Sequence, residues 1–325
     1  MALSLSSLSV ARADTVIVYV SVDQNYAEPI LDRFEAETGI RVRAVYDVEA
    51  AKTTGLINRL IAEKNRPRAD VFWNGEFSQM ALLKRHDVLT PHQPRGLRDV
   101  HSQDPEKLWT LFGGRARVLI VNKERLGEET WPQSLQDILD TRWPAKDVAV
   151  AYPMFGTTAT QAAALFAAWG SDRALSFFSD AVDRGVRFVD GNSVVRDLAV
   201  TGDIAFGLTD TDDACAAKTK GHPVEIVFPD QGDGDMGTLV IANAVGLVRG
   251  GTNPESGAKL IDYLLSAAVA DDLARAGWFH VDGTETLSAN DCDLPKQVKA
   301  MDIDPAGIIA VQPDAMKALQ KIVVR

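Results

Sequence analysis

The feature that most constrains this fold is the alternation of strand patterns with helix patterns along the chain from Asp14 onward. Continuous apolar and β-branched runs such as Thr15–Val20 predict strands that are buried on both faces. Helical segments such as Gly156–Trp169 and Asp172–Arg184 lie between such runs. Strands that alternate with helices form open, mainly parallel sheets covered by helices. The sequence therefore predicts an α/β protein.

The strand and helix pattern is completed once and then restarts, which indicates two lobes. A length of 325 residues also fits two domains of ordinary size. Two extended runs, Arg115–Val121 and Gly237–Val248, bracket the second set of elements, and we interpret them as the strands on which the chain passes between the lobes. The predicted division is residues 14–115 plus 240–290 for a discontinuous lobe one, residues 116–239 for lobe two, and a C-terminal segment, residues 291–325, that the sequence assigns to neither lobe.

The charge balance argues against a nucleic-acid-binding protein. The chain has 34 Lys and Arg against 45 Asp and Glu, a formal net charge of −11, whereas affinity for nucleic acids depends on basic groups set against phosphates. No apolar run reaches the length of about 18 residues that a membrane-spanning helix needs. We therefore expect neither a nucleic-acid partner nor a membrane span.

The N-terminal segment, residues 1–13, is distinct from the rest of the chain. It is small, apolar and rich in serine, and it ends in Ala11-Arg12-Ala13, a pattern typical of a signal-peptide cleavage site. The basic stretch that opens such peptides is absent, so a disordered tail is the alternative interpretation. We expect an exported protein, in which Cys215 and Cys292 fit either one disulfide or two buried thiols.

The motifs of common enzymes are absent from the sequence. It contains no glycine-rich nucleotide-binding loop, no Gly-x-Ser-x-Gly turn, no His-Glu-x-x-His and no Cys-x-x-Cys. The five histidines are scattered through polar segments. We therefore expect a protein that binds rather than catalyses, and no cofactor.

Polar residues instead cluster at the points where predicted strands end or helices begin. In open α/β sheets, ligands bind beyond the carboxyl ends of the strands. These clusters contain the candidate ligand-binding residues Asp23, Glu76, Thr157, Thr158, Asn192, Ser193, Asp210 and Asp212, with Asp213 next in the chain.

Two of the clusters, Thr157-Thr158 and Asn192-Ser193, open predicted helices in the same lobe. The free backbone N–H groups and the dipole at such an opening attract anions, and hydroxyl and amide side chains add hydrogen-bond donors. The same residue types are also the preferred helix N-caps, so a purely structural role is the alternative for each. The acidic run Asp210–Asp213 has a similar alternative, a solvated first helical turn favoured by the dipole.

Several segments taken in order carry a family resemblance: Tyr19–Asp23, Gly39-Ile40, Ala69–Trp73, Arg115–Asn122, Gly156–Ala159, Gly191–Val194, Gly202–Leu208, Gly237–Val240 and Lys259–Leu265. With this order and spacing, the chain from Val16 to about Leu273 resembles bacterial extracytoplasmic solute-binding proteins of the ferric-iron-binding type, which deliver ligands to ABC importers. The resemblance implies a periplasmic binding protein fold of the type II kind, in which two hinge strands join two α/β lobes that close over a ligand.

The resemblance also implies an anion site. In ferric-binding relatives a synergistic phosphate lies on the helix opening that matches Gly156–Ala159, with help from the asparagine that matches Asn192. Thr157 and Thr158 lie in that opening here. The anion half of the site is therefore expected in this chain.

The metal half of the site differs from that of the ferric-binding relatives. Glu76 fits the acidic ligand of those proteins, while Asp23 stands where they have a histidine. Asp212 and Asp213 stand where they have the consecutive tyrosine pair that selects Fe(III). Carboxylates are still ligands that suit a hard cation.

We therefore predict a periplasmic, monomeric solute-binding protein whose protein partners are the permease subunits of an ABC importer. Its ligand would have a phosphate-like anionic head and a cationic or strongly donating tail, as an aminoalkylphosphonate or another phosphorylated compound has. The expected ligand contacts are Thr157, Thr158, Asn192 and Ser193 for the head, and Asp23, Glu76, Asp212 and Asp210 for the ammonium group.

Two alternatives belong to other classes of function. The first is a binding protein for Fe(III) or another metal ion, and the second is a hydrolytic enzyme with Asp212 and Glu76 as its acid–base pair. The metal ligands in the first alternative would be Asp23, Glu76, Asp212 and Asp213.

Overall fold

The computed structural model describes residues 14–47, 53–97, 101–279 and 292–323. It is a mixed α/β structure, which confirms the predicted fold class. The expected signal peptide, residues 1–13, lies outside the described residues. Of the helices in the described ranges, none is both long and apolar enough to cross a membrane.

The strands and helices alternate along most of the chain. The strands are β1 (Thr15–Val20), β2 (Arg41–Tyr46), β3 (Val71–Asn74), β4 (Leu89–Thr90), β5 (Ser102–Gln103), β6 (Thr110–Asn122), β7 (Val148–Ala151), β8 (Arg187–Val189), β9 (Phe206–Asp210), β10 (Val224–Val227) and β11 (Val240–Val248). The α-helices are α1 (Gln24–Thr38), α2 (Thr54–Ala62), α3 (Met80–Arg85), α4 (Gly156–Trp169), α5 (Ser171–Arg184), α6 (Asn192–Thr201), α7 (Thr211–Thr219), α8 (Pro254–Leu264), α9 (Ala267–Arg275) and α10 (Pro305–Leu319).

Local sequence explains where several helices begin and end. α1 ends at Gly39 and α5 ends at Gly185, with φ angles of 70° and 88° that glycine adopts without steric cost. α10 begins after Asp304, whose side chain accepts a hydrogen bond from the backbone N–H of Ala306, as an N-cap residue does. These boundaries follow from single residues and are therefore readable from the sequence.

The sequence pattern of Glu76–Arg85 predicts a helix, and the observed helix is shorter than that range. The segment Glu76–Arg85 is helical only from Met80. The Glu76 carboxylate accepts hydrogen bonds from the backbone N–H groups of Ser78 and Gln79, which holds the chain in a turn before the helix begins. This departure places Glu76 at the edge of the sheet and not on a helix.

The strands form one curled sheet with two differently built ends. At one end β1 lies between β2 and β3 and is parallel to both, and β11 lies antiparallel between β3 and β6. At the other end β7 lies between β8 and β9 and is parallel to both, and β9 and β10 are antiparallel to β6. The carboxyl ends of β1, β3 and β7 face the region where the two ends of the sheet meet.

β6 belongs to both ends of the sheet. Its first part pairs with β11 up to Ala116, and from Arg117 onward it pairs with β9. The Arg117 N–H also donates to the carbonyl of Leu239, at 2.9 Å, so the chain returns beside the same point. The expected second crossing run starts as a strand at Val240 and not at Gly237. We retain the proposed lobe boundaries near residues 115 and 240.

The C-terminal segment, whose lobe the sequence left open, contacts both ends of the sheet. Met301 and Ile308 pack in the apolar cluster that contains β3 and β11 side chains. Ala315 and Leu319, further along α10, pack in the cluster that contains β7 and β9 side chains. α10 therefore spans the two lobes and is a third connection between them.

A disulfide attaches α7 to the start of this C-terminal segment. Cys215 and Cys292 are bonded to each other, with their Cα atoms 5.2 Å apart and a separation of 77 positions in sequence. Both are almost fully buried. The structure thus selects one of the two alternatives that the sequence left open for these cysteines.

Replacement of both cysteines, in the variant Cys215→Ser/Cys292→Ser, is expected to lower the melting temperature by several degrees. A cross-link that closes a loop of 77 residues restricts the unfolded chain by about 4 kcal/mol. Differential scanning calorimetry measures the shift, and a thiol reductant should lower the melting temperature of the parent but not that of the variant. Equal melting temperatures for the two proteins would contradict the prediction.

Candidate ligand-binding site

A cleft of about 360 Å³ lies beside β6, at the point where the chain crosses between the two ends of the sheet. One wall comes from the carboxyl ends of β1 and β3, and the other comes from the end of β7 and the first residues of α4 and α6. The residues that line it are Ser21, Thr53, Gly75, Glu76, Arg115, Ala151, Phe155, Gly156, Thr157, Thr158, Gly191 and Asn192.

The lobe-one wall consists of small polar groups that are tied together. The Ser21 hydroxyl donates to Oδ1 of Asn74 at 2.6 Å and accepts from the N–H of Gly75 at 2.9 Å. The Thr53 hydroxyl lies 3.3 Å from Oγ of Ser21 and 3.3 Å from Oδ1 of Asn74. This network fixes the hydroxyl groups at the edge of the sheet without adding charge.

The lobe-two wall contains the N-terminal ends of two helices. α4 begins at Gly156 and α6 begins at Asn192, after the N-cap residues Phe155 and Gly191, neither of which makes a side-chain cap hydrogen bond. The first backbone N–H groups of a helix have no partner within it, and together with the helix dipole they favour an anion. Both helix openings that the sequence analysis selected therefore border the same cleft.

Arg115 supplies positive charge to the cleft, although it is only 4% exposed. Its Nη1 lies 3.2 Å from Oδ2 of Asp212, and its Nη2 donates to the carbonyl of Gly75. Burial disfavours the charged form, but the charges of Asp212 and Asp210 outweigh burial and raise the pKa of Arg115. Its Nε is buried and has no hydrogen-bond partner within the described structure. A cation with an unpaired donor thus lies at the cleft wall.

Arg117 is the centre of a buried network behind the cleft, and it is 0% exposed. Its Nη1 lies 2.6 Å from Oδ1 of Asp210, 3.1 Å from the Thr157 hydroxyl and 3.0 Å from Oδ1 of Asn192. The Thr157 hydroxyl donates to Asp210 at 2.6 Å, and Nδ2 of Asn192 donates to the same carboxylate at 3.0 Å. These side chains therefore hold the first turns of α4 and α6 together.

Three buried carboxylates lie next to these arginines. The carboxylate oxygens of Asp210, Asp212 and Asp213 come within 4.8 Å of one another. Burial alone would raise the pKa of Asp210, but the nearby guanidinium charges hold it below its usual value. Each carboxylate has its own arginine: Arg117 for Asp210, Arg115 for Asp212 and Arg196, at 2.9 Å, for Asp213.

Glu76 is fully buried, and no other described residue of the cleft lining has a carboxyl group. It accepts hydrogen bonds from the Ser78 N–H at 2.6 Å and from the Thr160 hydroxyl at 2.9 Å. Burial nevertheless raises the pKa of Glu76 above its ordinary 4.5. At a given pH, a larger fraction of the Glu76 carboxyl group is thus protonated and neutral than at an exposed glutamate.

Contacts between the two walls hold the cleft closed. The Tyr26 hydroxyl on α1 donates to the backbone carbonyl of Asp212 on α7, at 2.9 Å. The Thr160 hydroxyl on α4 contacts both Glu76 and the Ser78 hydroxyl, the latter at 3.2 Å. Burial raises the pKa of Tyr26, so this phenol remains a protonated donor. The structure is therefore a closed arrangement of the two lobes.

The structure distributes the sequence-predicted site residues between the cleft and its support. Glu76, Thr157, Thr158 and Asn192 line the cleft. Asp23, Ser193, Asp210 and Asp212 are not among its lining residues; Asp210 and Asp212 instead neutralise Arg117 and Arg115. The roles assigned to all eight residues remain predictions.

Arg115 and Arg117 were not predicted as site residues from the sequence, although the strand that carries them was predicted. The signal was present, because two charged residues spaced two apart interrupt an otherwise apolar strand. Side chains two apart on a strand point to the same face. Ser21 and Gly75 are close neighbours in sequence of the predicted residues Asp23 and Glu76, whereas Thr53 has no distinguishing pattern.

The family comparison identifies the class of protein. Residues 67–306 match the family model described as "Bacterial extracellular solute-binding protein". That match covers well over half of the chain, so the protein belongs to this family. The resemblance stated from the sequence is confirmed.

The names of similar proteins mention several ligands. The chain is 26% identical over 333 residues to a probable ABC transporter periplasmic-binding protein of Sinorhizobium fredii, covering 96% of this chain and 86% of the relative. It is 24% identical to the major ferric iron-binding protein of Neisseria meningitidis serogroup B, covering 82% and 80%. It is also 24% identical to a putative 2-aminoethylphosphonate-binding periplasmic protein of Salmonella typhi, covering 82% and 78%.

A solved structure shows the same fold. The ferric binding protein from Campylobacter jejuni superposes with a TM-score of 0.79 over 95% of this chain and all of that chain, at 18% sequence identity. The predicted two-lobe periplasmic binding protein architecture is therefore confirmed.

Replacement of Arg117 by methionine is expected to destabilise the fold by about 3–5 kcal/mol, because it leaves the Asp210 carboxylate buried without its charge partner. Asp210→Asn should cost less in the Arg117→Met background than in the parent. Urea unfolding of the two single variants and the double variant measures this coupling. Arg125→Met, which breaks the more exposed pair with Asp147, is the control and should change stability by at most about 1 kcal/mol. Additive losses for Arg117 and Asp210 would contradict the prediction.

Glu76→Gln is expected to change how stability depends on pH. The pKa of Glu76 is raised in the folded state above 4.5, so the folded protein binds more protons than the unfolded chain in the range above that pH. The parent should therefore lose stability relative to Glu76→Gln as the pH rises from about 4.5. Denaturant unfolding of both proteins between pH 4 and 7 tests the slope, and parallel curves would contradict a raised pKa.

Proposed function

We propose that this protein is the substrate-binding component of an ABC importer and captures a small solute with a phosphate-like anionic head. The observation that carries the proposal is that the Arg115 guanidinium and the first turns of α4 and α6 border one cleft. Charge-assisted hydrogen bonds and helix N-termini are the usual means of binding phosphate groups. The putative aminoethylphosphonate-binding relative supports the same ligand class.

The electrostatics of the site also favour an anion over a cation. The buried carboxylates behind the cleft are each paired with an arginine, so they carry little free negative charge toward a ligand. Glu76, the carboxyl group in the lining, has a raised pKa. An anionic head in this cleft would face N–H and O–H donors and one guanidinium.

The ammonium group of an aminoalkylphosphonate is the less supported part of the ligand. Of its expected partners Asp23, Glu76, Asp212 and Asp210, only Glu76 lines the cleft. The proposal therefore concerns the phosphate-like head of the ligand. A ligand whose tail is an aminoalkyl group is one example of such a solute.

Fe(III) is the second candidate, and one observation favours it specifically. Asp210, Asp212 and Asp213 bring carboxylate oxygens within 4.8 Å of one another, and a relative is named as a ferric iron-binding protein. Against this, Arg115 and Arg196 lie within hydrogen-bond distance of two of these carboxylates and would repel a cation. The hydroxyl-lined cleft and the arginines suit the anion better.

The remaining parts of the proposal follow from the family. A periplasmic location, a monomeric state and permease subunits as partners suit a solute carrier that hands its ligand to a membrane importer. A hydrolytic role for Glu76 and Asp212 is disfavoured, because protein donors already hold the first and Arg115 neutralises the second.

Arg115→Gln is expected to weaken the binding of inorganic phosphate and of 2-aminoethylphosphonate about ten- to hundred-fold. A hydrogen bond to a charged group contributes about 1.5–3 kcal/mol, and about 1.4 kcal/mol corresponds to one decade in affinity. Isothermal titration calorimetry measures both ligands. Arg196→Gln is the matched control, because it also removes a guanidinium from a buried aspartate but does not line the cleft; it should change affinity less than about threefold.

Titration with Fe(III) separates the two candidates. If the protein binds iron through the carboxylates, Asp213→Asn should abolish that binding while Arg115→Gln preserves or improves it. That result, together with phosphate-like ligands that do not bind the parent, would overturn the proposed anion site.

A further inference from the structure

A second cavity lies in lobe two beside the cleft, and its empty space, counted together with its opening to solvent, is about 400 Å³. It is bounded by β7 and β8 on one side and by α4 and α5 on the other, and its lining is almost entirely apolar. Three phenylalanines, Phe177, Phe178 and Phe188, form much of the wall. Such a lining favours a hydrocarbon or aromatic group over water.

The sequence of α4 explains why the core leaves this space. The helix is rich in alanine, and Ala162 faces the cavity between Thr158 and Leu165, with Ala181 opposite on α5. Leucine or isoleucine at these positions would fill the space between helix and sheet, as in a close-packed interior. The short side chains leave it open instead.

The cavity adjoins the ligand cleft. Ala151, the last residue of β7, and Thr158, in the first turn of α4, line both spaces. The Thr158 hydroxyl lies 3.3 Å from Nη2 of Arg117 and 3.3 Å from Oδ1 of Asn192, so it belongs to the polar network. Among the described residues, these are the two side chains that line both the polar cleft and the apolar cavity.

We propose that the apolar cavity is a subsite for the organic substituent of the ligand. This inference rests on the proposed anion site: the phosphate-like head would bind at Arg115 and the helix openings, and the substituent would pass Ala151 into the cavity. It assigns the ligand to phosphonates or phosphate monoesters with a short alkyl or aryl group, in preference to inorganic phosphate alone. The Phe177, Phe178 and Phe188 rings would then select for aromatic or aliphatic substituents.

A series of phosphonates with the same head and longer substituents tests the subsite. Isothermal titration calorimetry of the parent with phosphate, methyl-, ethyl-, propyl- and phenylphosphonate should show affinity rising about threefold to fourfold for each added methylene. In Ala162→Leu, which fills the cavity, this rise should disappear while the affinity for phosphate changes less than about threefold. Ala181→Leu fills the same cavity from α5 and gives the same test if Ala162→Leu does not fold.

The outcomes distinguish this inference from the function on which it rests. If phosphate and methylphosphonate bind but longer substituents give no gain, the subsite is wrong and the anion site stands. The subsite is also wrong if Ala162→Leu weakens phosphate and phenylphosphonate equally. If no member of the series binds the parent, the proposed function fails and the subsite fails with it.

Discussion

Burying a guanidinium and a carboxylate together stabilises a protein only when their remaining hydrogen-bonding groups are satisfied. The Arg117–Asp210 pair meets this condition through Thr157, Asn192 and Gln161, each of which hydrogen-bonds Arg117. These partners come from α4 and α6, while the pair itself joins β6 to the end of β9. One buried charge pair therefore fixes the relative positions of four elements, and the helix openings at the cleft depend on it.

The two arginines of β6, two positions apart, have different surroundings. Arg117 is enclosed by the network, whereas Arg115, two residues earlier, borders the cleft with one donor unpaired. Both lie where β6 changes partner from β11 to β9. The strand that connects the lobes is thus also the strand that supplies positive charge to the cleft, so a bound anion would act directly on the hinge.

Much of the fold could be predicted from the sequence, because its determinants are local. The apolar run of β1, the glycine at the end of α1 and the long apolar segment of β6 each specify structure within a few residues. The helix openings at Thr157 and Asn192 were found for the same reason. The arginine roles could not be predicted, since the partner of Arg117 is 93 residues away in sequence, and a carboxylate such as Asp212 looks the same whether it faces a ligand or an arginine. The disulfide and the Tyr26 contact between the walls depend on the tertiary arrangement in the same way.

The position of β11 also determines the order in which the protein can fold. β11 lies between β3 and β6 in the sheet, yet it follows nearly all of lobe two in the chain. Until residues 240–248 have been synthesised, β3 and the first part of β6 have no strand between them, and lobe one cannot complete its core. Pairing between such distant segments is slow. A chain built in this way stays incompletely folded during most of its synthesis.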